Sequence, residues 1–330
     1  MICNLKYFQN PRQVAENSAA DKIVRRGWFA YNRATTRNGD KISIAYRDGE
    51  DCTVSASYLT FRIKDENLLN PYYLMMWFKR PEFDRYARFK SHGSAHEYFE
   101  WDEMCDVMLP VPSIEEQRKI VAEYQAVERR IENNRHLIAT LESTAQTIYR
   151  QMFVDNIDPE NLPQDWRMGK MKDVATFAYG KIPKDKDNGV IPVFSGYGVV
   201  GYCNEAMYDK QHIVVIARGD SGSGKIVKSP KEFYLTNLAI AIKLNNESYR
   251  DYLYYHLLSL DTLTLRTGSA QAQVTINSIE EFDILIPTVD ICAGFYSVVD
   301  RISAVKLELA QEEDILNNFS SLLLTKLSKL

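Results

Sequence analysis

Cysteine is scarce in this sequence, and its five copies are too scattered to build a metal site or a disulfide framework. They stand at Cys3, Cys52, Cys105, Cys203 and Cys292. Zinc modules place cysteines in close pairs, and small secreted domains carry a dense and usually even set. The pattern excludes both classes and favours a reduced, cytoplasmic protein.

Long hydrophobic runs are absent as well. The apolar stretches are far shorter than the roughly 20 residues of a membrane-spanning helix, and Met1 is followed by polar and charged sequence instead of a signal peptide. Hydrophobic residues still make up 45% of the 330 residues. That content allows two domains of ordinary size with packed cores, in a protein without a membrane segment.

Complete catalytic motifs are missing too. Residues 219–225 have the spacing of a phosphate-binding loop, but Ile226 stands where Ser or Thr would hold magnesium, and the following residues favour a strand instead of a helix. The Asn-Pro-Tyr-Tyr at 70–73 lacks the second proline of an amino-methyltransferase signature. The five histidines form no cluster. No nucleophile, base and oxyanion hole can be assembled, so we expect no enzyme activity.

The chain does contain an internal repeat. An aromatic-rich stretch leads to a short apolar strand ending in proline, at 106–110 in the first copy and 283–287 in the second. Upstream, Gly-Ser-Ala at 93–95 matches 268–270, and Tyr-Leu at 73–74 matches 252–253. The repeat predicts two copies of one module. Two similar modules on one chain suit a protein that recognises two sites separated by a fixed distance.

The second module has the clearer strand pattern. Trp166 is expected to anchor its entry segment, and Gly-rich turns are predicted at 195–198 and 219–224. Strands are predicted at 173–178, 191–194, 213–217, 225–228 and 238–244, with a helix at 249–260. The module therefore has a β-rich α+β fold.

A long amphipathic helix follows each module. Ser113 is a suitable N-cap, and Glu116 completes a capping box. Apolar residues then alternate at spacings of three and four, as in a coiled-coil seam. The first seam is Ile120, Tyr124, Val127, Ile131, Asn134, Ile138, Leu141, Ala145, Ile148 and Met152. The second is Phe295, Val298, Ile302, Val305, Leu309, Glu312, Leu316, Phe319, Leu323 and Leu330.

One polar residue interrupts each seam, Asn134 in the first and Glu312 in the second. If the helices pair antiparallel within the chain, the two side chains come close together. A buried polar pair costs stability and can fix the register. The alternative is that both residues are solvent-facing breaks in a packed helix.

Charge is unevenly distributed, although the net charge is only −4. Segments 23–47 and 218–231 are rich in Arg and Lys and almost without acidic residues. They form either a basic face for nucleic acid or ordinary solvated loops.

Taken together, the sequence resembles the specificity subunit of type I restriction–modification enzymes. The most specific segments are Leu-Pro-Val-Pro-Ser-Ile-Glu-Glu-Gln-Arg-Lys-Ile at 109–120 and Leu-Pro-Gln-Asp-Trp at 162–166. The resemblance implies an α+β fold with two β-rich target-recognition domains separated by two long helices packed as an antiparallel coiled coil. The first domain would be 1–112, the first helix 113–153, the second domain 154–288 and the second helix 289–330.

The resemblance also implies the partners. Each domain would read half of a bipartite site in double-stranded DNA, and the helices would space the domains and dock methyltransferase subunits, with restriction subunits further out. S-adenosylmethionine, ATP and magnesium would be bound by those partners, and no cofactor or metal by this chain.

Candidate DNA contacts are polar and basic residues in the turn-rich segments of both modules, because hydrogen-bonding side chains on loops can enter a groove. In the first module they are Tyr31, Asn32, Arg33, Arg37, Lys41, Ser94 and His96. In the second they are Tyr197, Arg218, Ser221, Ser223, Lys225, Ser269, Gln271 and Gln273.

The first module is the shorter, and it has no counterpart of the Leu-Pro-Gln-Asp-Trp segment. We therefore expect an N-terminally truncated first recognition domain. This leaves a second hypothesis, in which the chain is a coiled-coil scaffold or a decayed specificity subunit with only the second domain reading DNA. A DNA-cutting or methylating fusion enzyme is disfavoured by the missing active site.

Overall fold

The computed structural model describes residues 22–34, 41–93, 97–185, 188–219, 222–260, 266–267 and 273–329. The strands are β1 (Lys22–Val24), β2 (Trp28–Asn32), β3 (Ser43–Tyr46), β4 (Cys52–Val54), β5 (Tyr58–Arg62), β6 (Arg167–Lys170), β7 (Ala175–Tyr179), β8 (Ile191–Phe194), β9 (Val199–Cys203), β10 (Ile213–Ile216), β11 (Ile226–Lys228), β12 (Tyr234–Leu235), β13 (Ala239–Leu244), β14 (Arg266–Thr267), β15 (Gln273–Val274) and β16 (Asp283–Ile286). The helices are α1 (Pro71–Phe78), α2 (Pro81–Lys90), α3 (Trp101–Cys105), α4 (Ile114–Phe153), α5 (Tyr249–Ser259), α6 (Ile276–Glu280) and α7 (Val289–Lys326).

The chain divides into two compact units. The first, residues 1–136 with 309–330, contains the antiparallel sheet β3-β2-β5, the pair β1-β4 and helices α1 to α3. Phe29 and Tyr31 of the central strand β2 project into an aromatic core with Phe78, Phe83 and Phe99. Alternate aromatic residues on β2 and the apolar face of α1 therefore build this core.

The second unit, residues 137–308, is built on a four-stranded antiparallel sheet in the order β11-β10-β13-β7. Strand β10 is buried along its whole length, as expected of an apolar run in the interior of a sheet. A three-stranded sheet, β12-β8-β9, and the pairs β16-β6 and β14-β15 complete it. All five predicted strands and the predicted helix are present, with ends shifted by at most two residues. Trp166 is buried against Phe153, as predicted.

Helices α4 and α7 pack antiparallel. In the first unit, Glu128 accepts a hydrogen bond from Ser320 and Glu312 accepts one from Asn134. In the second unit, Glu142 pairs with Lys306 at 2.6 Å. In these pairs the residue number increases along α4 while it decreases along α7, as it must for antiparallel helices. The architecture is therefore α+β with two β-rich regions and a packed pair of long helices, which confirms the predicted fold class.

The first predicted seam is confirmed, because each of its residues is buried or half-buried. The second is wrong at three positions, and its last member, Leu330, lies outside the described residues. Val299 and Ser320 are buried where Val298, at 37% exposure, and Phe319, at 46%, were expected. Val305 is exposed as well. Helix α7 has two adjacent apolar rows, and only the row that continues Cys292, Phe295, Val299 and Ile302 faces the core.

The strand predicted at 106–110 is also wrong. Strand β16 of the second unit forms because β6 lies antiparallel beside it, with Ile284 opposite Gly169. Residues 106–110 have no such partner strand in the described part of the first unit and remain irregular. The segment is fixed instead by Tyr73, whose hydroxyl donates to the carbonyl of Pro110 at 3.0 Å.

The start of α4 is tied to the first unit by Gln117. Ser113 caps the helix as predicted, accepting from the amide of Glu116 at 3.3 Å. The fully buried Gln117 donates to the carbonyls of Leu68 and Pro112, both at 2.9 Å, and accepts from the amide of Asn70 at 2.8 Å. Its amide thus has both donors and its acceptor satisfied.

Candidate nucleic-acid interface

Several loops of the second unit meet at one end of the four-stranded sheet. The register places Ile216, where β10 ends, opposite Ala239, where β13 begins. Val215 lies opposite Ile226, the start of β11, and Tyr179, the end of β7, lies opposite Ile240. The segments after Tyr179 and Ile216 and those before Ile226 and Ala239 therefore leave the sheet at the same end.

Two further elements reach this end. The amide of Val274 in β15 donates to the carbonyl of Ala217 at 3.0 Å. The other element is the turn between β8 and β9 of the three-stranded sheet. The hydroxyl of Tyr197 at the tip of this turn donates to the carbonyl of Arg218 at 3.2 Å. The topology thus joins three segments that are widely separated in sequence.

The side chains at this end form what we call the basic sheet end, namely Lys181, Tyr197, Arg218, Lys225 and Gln273. The first four are exposed, and Gln273 is half-buried. None of the three cations forms an ion pair with an acidic residue in the described part of the chain. Exposed cations beside an exposed aromatic ring and an amide can bind phosphate oxygens and base edges.

The loop before β11 is shaped by glycine. Gly224 has a φ of +86°, and its amide donates to the carbonyl of Ile216 at 2.8 Å. The chain then enters β11 directly, so no helix follows the loop. A nucleotide phosphate loop needs a helix N-terminus at that point. The geometry agrees with the sequence argument against nucleotide hydrolysis.

Strand β11 is held behind this loop by a buried charge cluster. Asp251 of α5 is fully buried and accepts from Nζ of Lys228 at 2.6 Å and from Nη2 of Arg250 at 3.2 Å. Burial lowers the pKa of Lys228, and the adjacent Asp251 opposes that shift. The ammonium of Lys228 also lies 4.5 Å from the ring centroid of Tyr254. The cluster connects the strand to α5.

Candidate residues of the first unit are less clearly placed for DNA. Arg33 is half-buried, pairs with Glu100 at 3.3 Å and lies over the ring of Tyr98. The side chain of Asn32 accepts from the amide of Ala34 at 3.1 Å. Lys41 is exposed.

Two residues predicted to contact DNA, Tyr31 and Ser223, are buried in the structure, which argues against that role. Tyr31 is 0% exposed and contacts Phe61 and Phe99, because its position on β2 faces the aromatic core. Ser223 is 2% exposed, because the turn directs it inward while its amide donates to the carbonyl of Gly219. Neither side chain is presented to a ligand in this conformation. Other candidates lie outside the described residues, namely Arg37, Ser94, His96, Ser221, Ser269 and Gln271.

Sequence reasoning missed Lys181, together with the exposed apolar residues Tyr179, Ile182 and Leu238 at the same end of the sheet. The spacing of residues along the sequence does not predict them, because β7 pairs with the distant strand β13 and not with β8, the strand that follows it in sequence. In the described part of the chain, no acidic, His or Cys residues cluster as a metal site would require. None of the described helices is long and apolar enough to cross a bilayer.

Comparison with solved structures gives the same fold. The S subunit of a type I restriction-modification system from M. genitalium superposes with a TM-score of 0.64 at 16% identity, over 93% of this chain and 84% of that one. A chain from a structure described as the basis of complex assembly and conformational transition of the type I R-M system gives a TM-score of 0.51 at 18% identity, over 93% and 82%.

The family model for the type I restriction modification DNA specificity domain matches residues 21–143 and 163–317. The match covers most of the chain, and the chain belongs to this family. It is of the class of type I specificity subunits, which are the non-catalytic members of their complexes.

Two curated relatives carry the same description. The EcoprrI specificity subunit of Escherichia coli is 21% identical over 124 residues, covering 38% of this chain and 31% of that protein. The MjaIX specificity subunit of Methanocaldococcus jannaschii is 23% identical over 292 residues, covering 77% and 67%. The match thus spans about a third of the first relative and two thirds of the second.

Proposed function

We propose that this chain recognises a bipartite DNA sequence for a type I restriction-modification complex, and that the basic sheet end reads one half of it. The observation that carries the proposal is that Lys181, Arg218 and Lys225 lie with the exposed Tyr197 at one end of the four-stranded sheet. Phosphate contacts set the orientation of a protein on a duplex, whereas base edges provide the specificity. The boundaries 1–112, 113–153, 154–288 and 289–330 belong to the same proposal, with the first module reading the other half.

Two of the exposed cations have different roles in this proposal. Lys225 follows the glycine turn, where its exposed ammonium suits a phosphate oxygen. Arg218 sits at the end of a rigid buried strand, where its planar fork suits a guanine edge in the major groove. Gln273 would contribute an amide for an adenine edge.

The experiment is co-expression of the full chain with its methyltransferase subunit in a host without endogenous methylation, followed by genome-wide mapping of modified bases. A bipartite motif with a fixed gap is expected. A single half-site, or a symmetric motif built from one half-site, would restrict reading to one module. A stable complex that modifies no site would favour the scaffold function instead.

The second apolar row of α7 supports the proposal of a partner. Ile315, Phe319 and Leu322 are 68%, 46% and 61% exposed, and Phe319 and Leu322 line a surface pocket with Leu323, Thr325 and Lys326. Spacings of four and three residues are those that a helix presents to another helix. We assign this row, within the first unit, to a helix of the methyltransferase subunit.

Charge substitution tests that assignment. Phe319→Asp with Leu322→Lys should abolish co-purification of the methyltransferase subunit, because the groove would no longer be apolar. The matched control is Asn317→Asp with Ser321→Lys, on exposed polar positions of the same helix turns. Undiminished co-purification of the first variant would place the partner elsewhere. The restriction subunits are further partners in this proposal. We assign the S-adenosylmethionine, ATP and magnesium of the complex to the partner chains.

A further inference from the structure

We propose that Tyr197 is a positioning residue that holds Arg218, Gly219 and the turn that begins at Gly222 in the arrangement that reads DNA. The inference rests on the proposed function, because it assumes that the basic sheet end contacts a duplex. It changes the role of Tyr197 from a base contact, as the sequence suggested, to a support for the residues that make such contacts.

The hydroxyl of Tyr197 is engaged by the protein backbone. It donates to the carbonyl of Arg218 at 3.2 Å, at the point where β10 has ended and the loop begins. A phenol has one proton to donate. The bond therefore fixes the peptide that follows Arg218 and leaves that proton unavailable to a base.

The ring of Tyr197 occupies space that side chains would otherwise fill. A Cβ at Gly219 would lie 2.1 Å from Oη of Tyr197, and a Cβ at Gly222 would lie 2.5 Å from its Cε1. Both distances are far inside van der Waals contact, so the ring can rest on the loop backbone only where both positions are glycine. Gly219 also has a φ of +127°, which favours glycine by itself.

The turn that presents Tyr197 is itself fixed. The side chain of Ser195 accepts from the amide of Tyr197 at 3.2 Å and donates to the carbonyl of Gly198 at 3.1 Å. Gly196, with a φ of +86°, completes the turn. The ring remains 50% exposed, so one part contacts the loop and the other faces solvent beside the cations.

Backbone hydrogen bonds already fix both ends of this segment, from the amide of Arg218 to the carbonyl of Leu238 at 3.2 Å and from the amide of Gly224 to the carbonyl of Ile216 at 2.8 Å. The ring and hydroxyl of Tyr197 add a support from a different sheet, at Arg218, Gly219 and Gly222. Recognition groups need supporting residues to hold their geometry, so we expect loss of this support to reduce base discrimination.

The test uses the full chain with its methyltransferase subunit and a pool of DNA duplexes with a randomised central segment. The variants are Tyr197→Phe, Tyr197→Ala, Gly222→Ala and the double variant Tyr197→Ala with Gly222→Ala. Gly294→Ala is the matched control, because a Cβ there has no neighbour within 4 Å. Bound duplexes are sequenced, and the thermal unfolding midpoint of each complex is recorded.

The wild type and Gly294→Ala should enrich the same bipartite motif. Tyr197→Ala and Gly222→Ala should each lose about tenfold in base discrimination in one half-site, the size of one good base contact, and keep the other half-site intact. Tyr197→Phe should lose less, because it retains the ring. The double variant should be no worse than Tyr197→Ala, because the ring that a Cβ at Gly222 would meet is then gone.

An unchanged motif for Tyr197→Ala would overturn the proposal, as would additive losses in the double variant. Equal weakening of both half-sites with unchanged base frequencies would also overturn it, by reducing Tyr197 to a stability role. If the wild type enriched no motif, the proposed function itself would fail. That result is distinct from a variant that fails to alter a motif that the wild type does enrich.

Discussion

Nδ2 of Asn134 donates a hydrogen bond to Oε2 of Glu312 across 2.8 Å, between the two long helices in the first unit. The same carboxylate accepts from Nε and Nη2 of Arg130, at 2.9 and 3.0 Å. Arg130, followed by Asn134, lowers the pKa of Glu312. The two polar residues that interrupt the seams therefore meet, whereas their role in setting the register stays a prediction.

Replacing both residues, Asn134→Leu with Glu312→Leu, should raise the thermal unfolding midpoint and loosen the helix alignment. The reason is that an apolar pair of similar volume is often at least as stable as a buried polar one but accepts more than one register. Spin labels introduced by genetic-code expansion at the exposed positions Glu132 and Asp314 would give the distance distribution.

That distribution should broaden or become bimodal in the double variant. Asn133→Leu, at an exposed neighbouring position, is the control and should leave it unchanged. A single, unshifted distance in the double variant would show that the pair does not set the register.

Removal of the buried carboxylate in Asp251→Asn should destabilise the protein by about 2–4 kcal/mol, somewhat below the usual cost of breaking a buried pair because Lys228 is 21% exposed. Lys228 and Arg250 would be left facing each other without a counter-charge. Urea unfolding measures the effect, with the exposed Asp209→Asn as control. The apolar double variant Lys228→Met with Asp251→Leu should recover most of the loss. Failure to recover would mean that packing, not charge, limits this site.

Acid should destabilise the second unit through His256. Burial lowers the pKa of His256 to about 4, whereas an unfolded chain has the ordinary value of 6.5. Below about pH 6.5 the unfolded chain therefore takes up a proton that the folded chain does not, and stability falls with pH until about pH 4. Above pH 6.5 the contribution is complete.

His256→Phe should flatten this dependence of the unfolding free energy between pH 6.5 and 4. The variant should also lose about 1 kcal/mol at neutral pH, because Nδ1 of His256 lies 3.1 Å from the hydroxyl of Tyr149. Tyr149→Phe removes the same hydrogen bond and keeps the histidine, so it should retain the wild-type slope. Identical slopes in all three proteins would contradict the assignment.

Lys225 and Arg218 should differ in how they support DNA binding. Lys225→Ala should weaken binding to all sequences and reduce the slope of log affinity against log salt by about 1, as expected for one lost phosphate contact. Arg218→Ala should cost about 1–3 kcal/mol on the preferred sequence and relax one base position. Fluorescence anisotropy across a salt series separates the two effects.

Lys172→Ala is the matched control for both variants. This lysine is exposed, pairs with Glu281 and precedes β7, at the opposite end of the sheet from Arg218. It should change neither the salt slope nor the base preference. A phosphate-like response from Lys172→Ala would show that general positive charge, not the basic sheet end, governs binding.

Prediction from sequence succeeded where a local pattern has a single physical solution. The strand at 213–216 was predictable because a short apolar run between turn residues fits only the interior of a sheet. Prediction failed on α7, where Val298 and Val299 are adjacent and both apolar, so spacing alone does not decide which one faces the neighbouring helix. It failed also for Tyr31, whose neighbours on β2 and β5 bury it.

The sequence by itself determined several elements of this protein, namely the main strands of the second unit, the two long helices and Ser113, the residue that caps the first of them. Those follow from short-range rules of periodicity, capping and turn chemistry. Only the tertiary structure decided which side chains share a surface. Lys181, Tyr197, Arg218 and Gln273 come together because β10 pairs with β11 and β13, β13 pairs with β7, and a turn from a second sheet reaches the same end. Strand pairing over long sequence separations depends on the whole core, and spacing along the chain does not encode it.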